Sequence, residues 1–148
     1  MSDQILAKSD PEESLLKHTE NVIRNWKNLR EVYKNHTSDS EFWKLSFYSV
    51  LFHDLGKVAR NFQDVITGKT KSYDNYIRHE LLSGMFLLYT NFNYFVENPL
   101  CLMAVFSHHK PLNDYLFQED AYKKLDLVYE DLSGIITQFT SIAKEAGL

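Results

Sequence analysis

The hexapeptide FHDLGK, residues 52 to 57, sets His53 beside Asp54 at the end of a strongly apolar stretch, with Lys57 one turn further on. His18 precedes it, and His79 and the adjacent pair His108 and His109 follow. Imidazole and carboxylate are the ligands that cations of the Mn, Fe, Co, Ni or Zn type accept, and each doublet offers two donors from one rigid turn. The Asp54 carboxylate has two oxygens and can serve two cations at once. Two cations about 3.5–4 Å apart would steady both the attacking and the leaving oxygen of a phosphoester, chemistry that a Ser or Cys nucleophile need not assist. Lys57 would neutralise charge on a phosphate oxygen or orient the attacking water.

Each piece has a plainer reading when taken alone. A single inward histidine such as His18 or His79 is more often a hydrogen-bonded core residue than a ligand. A lysine beyond a helix end is ordinarily solvated, His36 lies in a polar loop as a surface residue, and Cys101 sits in an apolar run as an inert core thiol. The HD dipeptide is common by chance. The order of the sites, and their consistent placement on apolar helices, make the set more specific than its members.

Those helices can be read from hydrophobic spacing. In DPEESLLKHTENVIRNWKNLREVYKN, Asp10 reads as an N-cap, Pro11 as the first helical residue and Glu13 as the residue three beyond the cap. Leu15, Thr19, Val22, Trp26, Leu29 and Tyr33 then recur every three or four positions, with His18 on the same inward face. EFWKLSFYSVLFHDLG is apolar on almost every side and reads as a central helix that Gly56 terminates. KVARNFQDVITG reads as a short helix closed by Gly68, and KTKSYDN as a surface loop. A fourth helix is expected from about Tyr76 to Phe95 with His79 in its first turn. A fifth begins at Asn98 and Pro99 and ends before Pro111. The tail from Asp120, with Leu125, Val128, Leu132, Ile135 and Ile136, reads as helical with a break at Gly134. No segment alternates as a strand should, so the fold class is all-α.

The 148 residues suffice for one domain with a real core and are few for two. Ten Phe, nine Tyr and two Trp make the composition globular. A net charge of −4 and the lack of any Lys or Arg run count against charge-driven capture of DNA by this segment alone. They leave room for a phosphodiester substrate, because bound divalent cations bring local positive charge. The single cysteine permits no internal disulfide and fits a reducing cytoplasm. With neither a signal-peptide core nor an apolar run near the roughly 18 residues of a membrane span, the expectation is a cytoplasmic protein without a membrane partner.

His18, HDLGK at 53 to 57, RHE at 78 to 80 and SHHKPL at 107 to 112 stand in an order that resembles the HD superfamily of metal-dependent phosphohydrolases. The HD nuclease domain of the type I CRISPR helicase-nuclease is the branch it resembles most. NFQDVI at 61 to 66 looks like that branch's F-Q element, and RHE looks like its third motif. The resemblance spans about residues 14 to 112 and implies an HD-domain helical bundle with a metal site where helix ends converge. Carried over residue by residue, it assigns His18, His53 and Asp54 to one metal, and Asp54, His79, His108 and His109 to a second. Lys57 takes the place of the motif lysine near the scissile phosphate, and Arg78 and Glu80 stand where they would orient His79. The implied cofactors are two divalent ions of Mn, Fe, Co or Ni, or Mg.

Two positions depart from the family pattern. Lys110 replaces the glycine that usually follows the paired histidines. The family also closes its first metal site with an aspartate well downstream, and none of Asp114, Asp120, Asp126 and Asp131 matches that position convincingly. The expectation is therefore a single HD nuclease domain over residues 1–148, incomplete at its C-terminus.

By resemblance the chain is a nuclease that cuts single-stranded DNA, in antiviral defence, together with a helicase domain or subunit and a CRISPR surveillance complex. The alternatives are a generic HD phosphohydrolase acting on nucleotides or small phosphoesters, and an inactive, truncated HD module.

Overall fold

In the computed structural model, residues 5–70 and 78–109 are described, with positions 136, 137, 140, 141 and 144 of the C-terminal tail. The first residues of the helix expected from Tyr76, most of the tail beyond Asp120, the KTKSYDN loop past Thr70, Lys110 and the four late aspartates lie outside the described residues, and the five described tail positions are helical as expected. Two short antiparallel strands, β1 (Leu6–Ser9) and β2 (Glu12–Ser14), come first. Among the described residues up to His109 six α-helices follow: α1 (Leu15–Tyr33), α2 (Ser40–Phe52), α3 (Arg60–Ile66), α4 (His79–Thr90), α5 (Phe92–Glu97) and α6 (Pro99–Ser107). A 3₁₀ turn, Leu55–Val58, joins α2 to α3. The all-α reading thus holds for the body of the fold, with a hairpin added at its start. No helix among the described residues is long and apolar enough to cross a membrane.

The hairpin corrects the expected start of the first helix. Asp10 and Pro11 occupy the turn between β1 and β2 and are joined by a cis peptide bond. An Asp-Pro pair serves a turn as readily as a helix start. The helix begins four residues later because Ser14 caps it, its Oγ accepting from Lys17 N at 3.1 Å. Glu13 is consequently a strand residue rather than part of a capping box.

α1 buries Leu15, Thr19, Ile23 and Trp26. Ile23 takes the inward place expected of Val22, and the buried stripe stops one turn after it. Leu29 and Tyr33 are 53% and 49% exposed. Asp39 starts α2 by accepting from the backbone N–H groups of Glu41 and Phe42. Trp43, Phe47 and Leu51 of α2 then pack with Trp26, Leu55, Leu82 and Phe86 in one core, which Ile136 of the tail also touches. Trp26 Nε1 donates to Ser46 Oγ at 3.0 Å, which removes the cost of burying the indole N–H.

The expected fourth helix is broken at Asn91. Its backbone leaves helical geometry (φ −158°, ψ 85°), and its side chain caps α5 by accepting from Tyr94 N at 3.1 Å. α5 and α6 add a second small core of Leu87, Phe95, Cys101 and Val105. Pro99 stands at the start of α6 as expected.

Gly56 does something other than end a helix. Its φ is not positive, and a Cβ there would collide with the backbone carbonyl of His79. The glycine lets the first turn of α4 lie directly on the 3₁₀ turn. Ser83 Oγ locks this contact by accepting from Gly56 N at 2.8 Å. Gly68, by contrast, has φ 72° and open space around it, and it terminates α3.

Substituting Gly56→Ala is expected to destabilise the protein by about 3 kcal/mol in urea denaturation, since backbone must move to admit the methyl group. Gly68→Ala, strained only by its left-handed backbone, should lose about 1 kcal/mol. Equal losses would remove the close-approach role assigned to Gly56.

Candidate metal centre

Every candidate ligand stands at the end of a helix or on its inward face. His53 is the residue after α2, and His108 the residue after α6. His79 opens α4, and His18 lies in the second turn of α1. Asp54 follows His53 with φ −107° and ψ 5°, so the chain has left helical geometry and the carboxylate turns into the space where these ends meet.

Asp54 is the centre of the group and is only 2% exposed. Its Oδ2 lies 3.1 Å from His18 Nε2, 3.3 Å from His53 Nε2 and 2.8 Å from Lys57 Nζ. Its Oδ1 faces the other way, 3.1 Å from His79 Nε2 and 3.4 Å from His108 Nε2. His109 stacks beside both of these, with ring centroids 5.1 Å from His79 and 4.2 Å from His108. All seven residues singled out in the sequence, His18, His53, Asp54, Lys57, His79, His108 and His109, come together here. They form two donor sets that share Asp54: His18, His53 and Asp54, and Asp54, His79, His108 and His109, with the ligand atoms of each set within 4.8 Å of one another.

Lys57 is buried rather than solvated. Its ammonium meets Asp54 Oδ2 and donates to the Ala7 carbonyl at 3.4 Å, beneath the Phe62 ring. Burial pushes the Asp54 pKa up, but His108, His18, His53 and His79 around it prevail and hold the carboxyl far below the usual range. The carboxylate is therefore an anion at any physiological pH. Contact with Asp54 raises the His18 pKa against the opposing effect of burial. Partial burial lowers that of His109, helped by its neighbours His108 and His79.

The outward nitrogens of the imidazoles explain why their Nε2 atoms point inward. His53 Nδ1 donates to the Val50 carbonyl and His108 Nδ1 to the Val105 carbonyl, each at 2.7 Å. His18 Nδ1 faces Glu13 Oε2 at 3.1 Å. A carbonyl only accepts, so His53 and His108 carry the proton on Nδ1 and free the Nε2 lone pair for the centre, whereas His18 meets a carboxylate at each nitrogen, Glu13 at Nδ1 and Asp54 at Nε2. Arg78 donates to Glu80 Oε1 at 2.7 Å, and the other Glu80 oxygen lies 3.5 Å from His79 Nδ1.

Whether a cation fits can be judged from what the protein leaves unsatisfied. Asp54 Oδ1, His79 Nε2 and His108 Nε2 are buried and close to one another, yet they form no hydrogen bond of acceptable geometry, and neither does His79 Nδ1. Orphaned polar atoms in a folded core are costly. Asp54 Oδ1 and His108 Nε2 offer lone pairs and His79 Nε2 can offer a third, so the three together suit a cation better than any protein donor.

Three participants escaped the sequence reading. Glu13 was expected only as a capping residue. Ser83 carried no signal, since a serine inside an apolar helix is unremarkable. Gln63 belonged to a recognised element, but its task is visible only in space: its amide accepts from Leu6 N at 3.0 Å and donates to Leu6 O at 2.9 Å and Lys57 O at 2.7 Å.

Helices whose ends converge on a His-Asp doublet define the HD-domain fold, and this chain has it. Among solved structures the chain is similar to the CRISPR-associated Cas3 HD domain protein MJ0384 from Methanocaldococcus jannaschii, with a TM-score of 0.70 and 21% sequence identity, over 97% of this chain and 85% of that one. No protein-family model matches the chain, and no curated protein is significantly similar to it in sequence.

Lys57→Met is expected to lower the stability of the metal-free protein by about 3 kcal/mol, because it strips the buried Asp54 of its shortest cationic contact. Saturating Mn(II) should recover most of that loss by supplying the missing positive charge. An identical loss with and without Mn(II), measured by urea denaturation, would show that ammonium and cation do not act on the same carboxylate.

Proposed function

We propose that this chain is a metal-dependent phosphodiesterase domain that hydrolyses single-stranded DNA in CRISPR interference. The observation that carries the reading is the single buried carboxylate of Asp54, each of whose oxygens faces a separate set of imidazoles. The likeness in fold to the Cas3 HD domain protein supports it.

His18, His53 and Asp54 would hold one divalent ion, and Asp54, His79, His108 and His109 a second. Such ions, when bound, supply Lewis acidity at the phosphate and an activated water at neutral pH. The protein's own part is positional. The Nδ1 contacts of His18, His53 and His108 hold their rings in place before any ion arrives, so the ligands need little rearrangement. Asp54 stays ionised throughout and takes no proton from the substrate. Lys57, held by Asp54 and Ala7, adds fixed positive charge beneath the site. His109, exposed at the rim, is the ligand nearest to incoming substrate.

The net charge of −4 suits a helicase domain or subunit that feeds the strand in, with a surveillance complex selecting the target. The same charge favours a second reading, hydrolysis of nucleotides or small phosphoesters, which needs no extended basic track.

Mn(II)-loaded protein should cut circular single-stranded DNA, whereas release of phosphate from nucleotides without DNA cleavage would favour the second reading. Asp54→Ala should reduce either activity to background. By elemental analysis, His79→Ala should lower bound Mn(II) from about two ions per chain towards one. Full activity in the Asp54 variant would end both readings.

A further inference from the structure

The first three elements of the chain form a closed circuit around the candidate centre. Gln63 treats β1 as a neighbouring strand would, pairing with both the N–H and the C=O of Leu6, and the same amide holds the carbonyl of Lys57. The next residue, Ala7, accepts from Lys57 Nζ. The one after that, Lys8, is paired with Glu13 across the hairpin, and its ammonium meets Glu13 Oε2 at 2.8 Å. Glu13 Oε1 accepts from Asn21 Nδ2 at 3.0 Å, and Oε2 also faces His18 Nδ1 at 3.1 Å. His18 Nε2 closes the circuit on Asp54.

Glu13 is thereby held on three sides by Lys8, Asn21 and His18. The Lys8 ammonium, followed by His18 and Asn21, brings its pKa down to about 2 despite some opposing desolvation, so it is a permanent anion. His18 and Asn21 are three residues apart on α1 and share one helix face. A carboxylate can meet both only if a second element crosses that face, and β2 does so. The partners of His53 and His108 are neutral carbonyls from their own helices. His18 instead takes a charged acceptor from a separate element.

We propose that Glu13 is a positioning residue for His18: it holds the imidazole in its Nδ1–H form with Nε2 aimed at Asp54, and so sets the cation affinity of the His18, His53 and Asp54 half of the centre. The affinity half of this inference rests on the metal-dependent reading above. The orientation half does not: without an ion Asp54 competes for the His18 proton at Nε2 while its Oδ2 is already taken by Lys57, and Glu13 is the acceptor that wins. An anionic acceptor behind a ligating imidazole fixes its tautomer and raises its basicity, and removing such a partner costs about 10–100-fold in metal affinity. Gln63 acts one step further back by fastening the strand that presents Glu13.

The test uses the full chain with ¹⁵N-labelled histidine, metal-free and above the titration range of imidazole, with His18→Ala to assign the His18 signals. Long-range ¹H–¹⁵N correlation should show His18 as the Nδ1–H tautomer in the wild type and in Glu13→Gln, whose amide oxygen still accepts. Glu13→Ala should move it towards the Nε2–H form. In calorimetric titration with Mn(II), Glu13→Ala should weaken one of two binding events about 10–100-fold and spare the other, with Glu13→Gln recovering most of the loss. A wild type already in the Nε2–H form, or an unchanged His18 tautomer in Glu13→Ala, would overturn the positioning role, as would equal loss of affinity in the two variants. Should the wild type bind no Mn(II), the metal-dependent reading and the affinity half fall together, while the tautomer alone still decides whether Glu13 positions His18.

Discussion

A carboxylate with almost no exposure to water is the constraint around which this protein is arranged. Burying an ionised Asp54 costs several kcal/mol unless charge and donors surround it. Here Lys57 meets part of that requirement, and imidazoles from four different helices converge on the same carboxylate in an arrangement that a bound cation would complete. Because those helices reach the aspartate with their ends, the bundle is built around a point where chain termini of elements converge rather than around an uninterrupted apolar seam. The apolar residues form two cores, one dominated by the aromatics of α1 and α2, the other built from α4, α5 and α6.

Two local devices make the convergence possible. The lack of a side chain at Gly56 lets the first turn of α4 lie on the 3₁₀ turn, and Ser83 ties the two together, so His79 and Asp54 are set by the same contact. The backs of the rings are fastened separately, by carbonyls within α2 and α6 and by Glu13 on the hairpin. The first device governs distance and the second governs orientation. A metal centre needs both, because a lone pair at the right distance but the wrong angle does not bind.

Much of this was legible in the residues. The apolar run of α2, the cap and proline that open α6, the glycine that ends α3 and the ordered histidine sites all carry local signals, and local signals survive in a linear string. What misled was also local. Asp10 and Pro11 suit a turn or a helix start equally, and the choice between them fell to Ser14 and to the strand pairing of β1. Val22 and Ile23 are both apolar, and only the direction of the neighbouring helix makes Ile23 the buried one. The break at Asn91 depends on a cap whose alternative, one continuous helix, has the same hydrophobic pattern.

The sequence by itself determined the helical class, the identity of the donor residues and their order along the chain, because residue type and short-range periodicity are properties of the string. The sharing of Asp54 by two donor sets was implied by the resemblance, but only the tertiary structure decided that Lys57 is inside and that Glu13, Ser83 and Gln63 hold the arrangement together. The reason is distance along the chain. His18 and Asp54, Gly56 and Ser83, and Leu6 and Gln63 are each separated by tens of residues, and which of them meet is settled by how whole helices pack, which no short window of sequence contains.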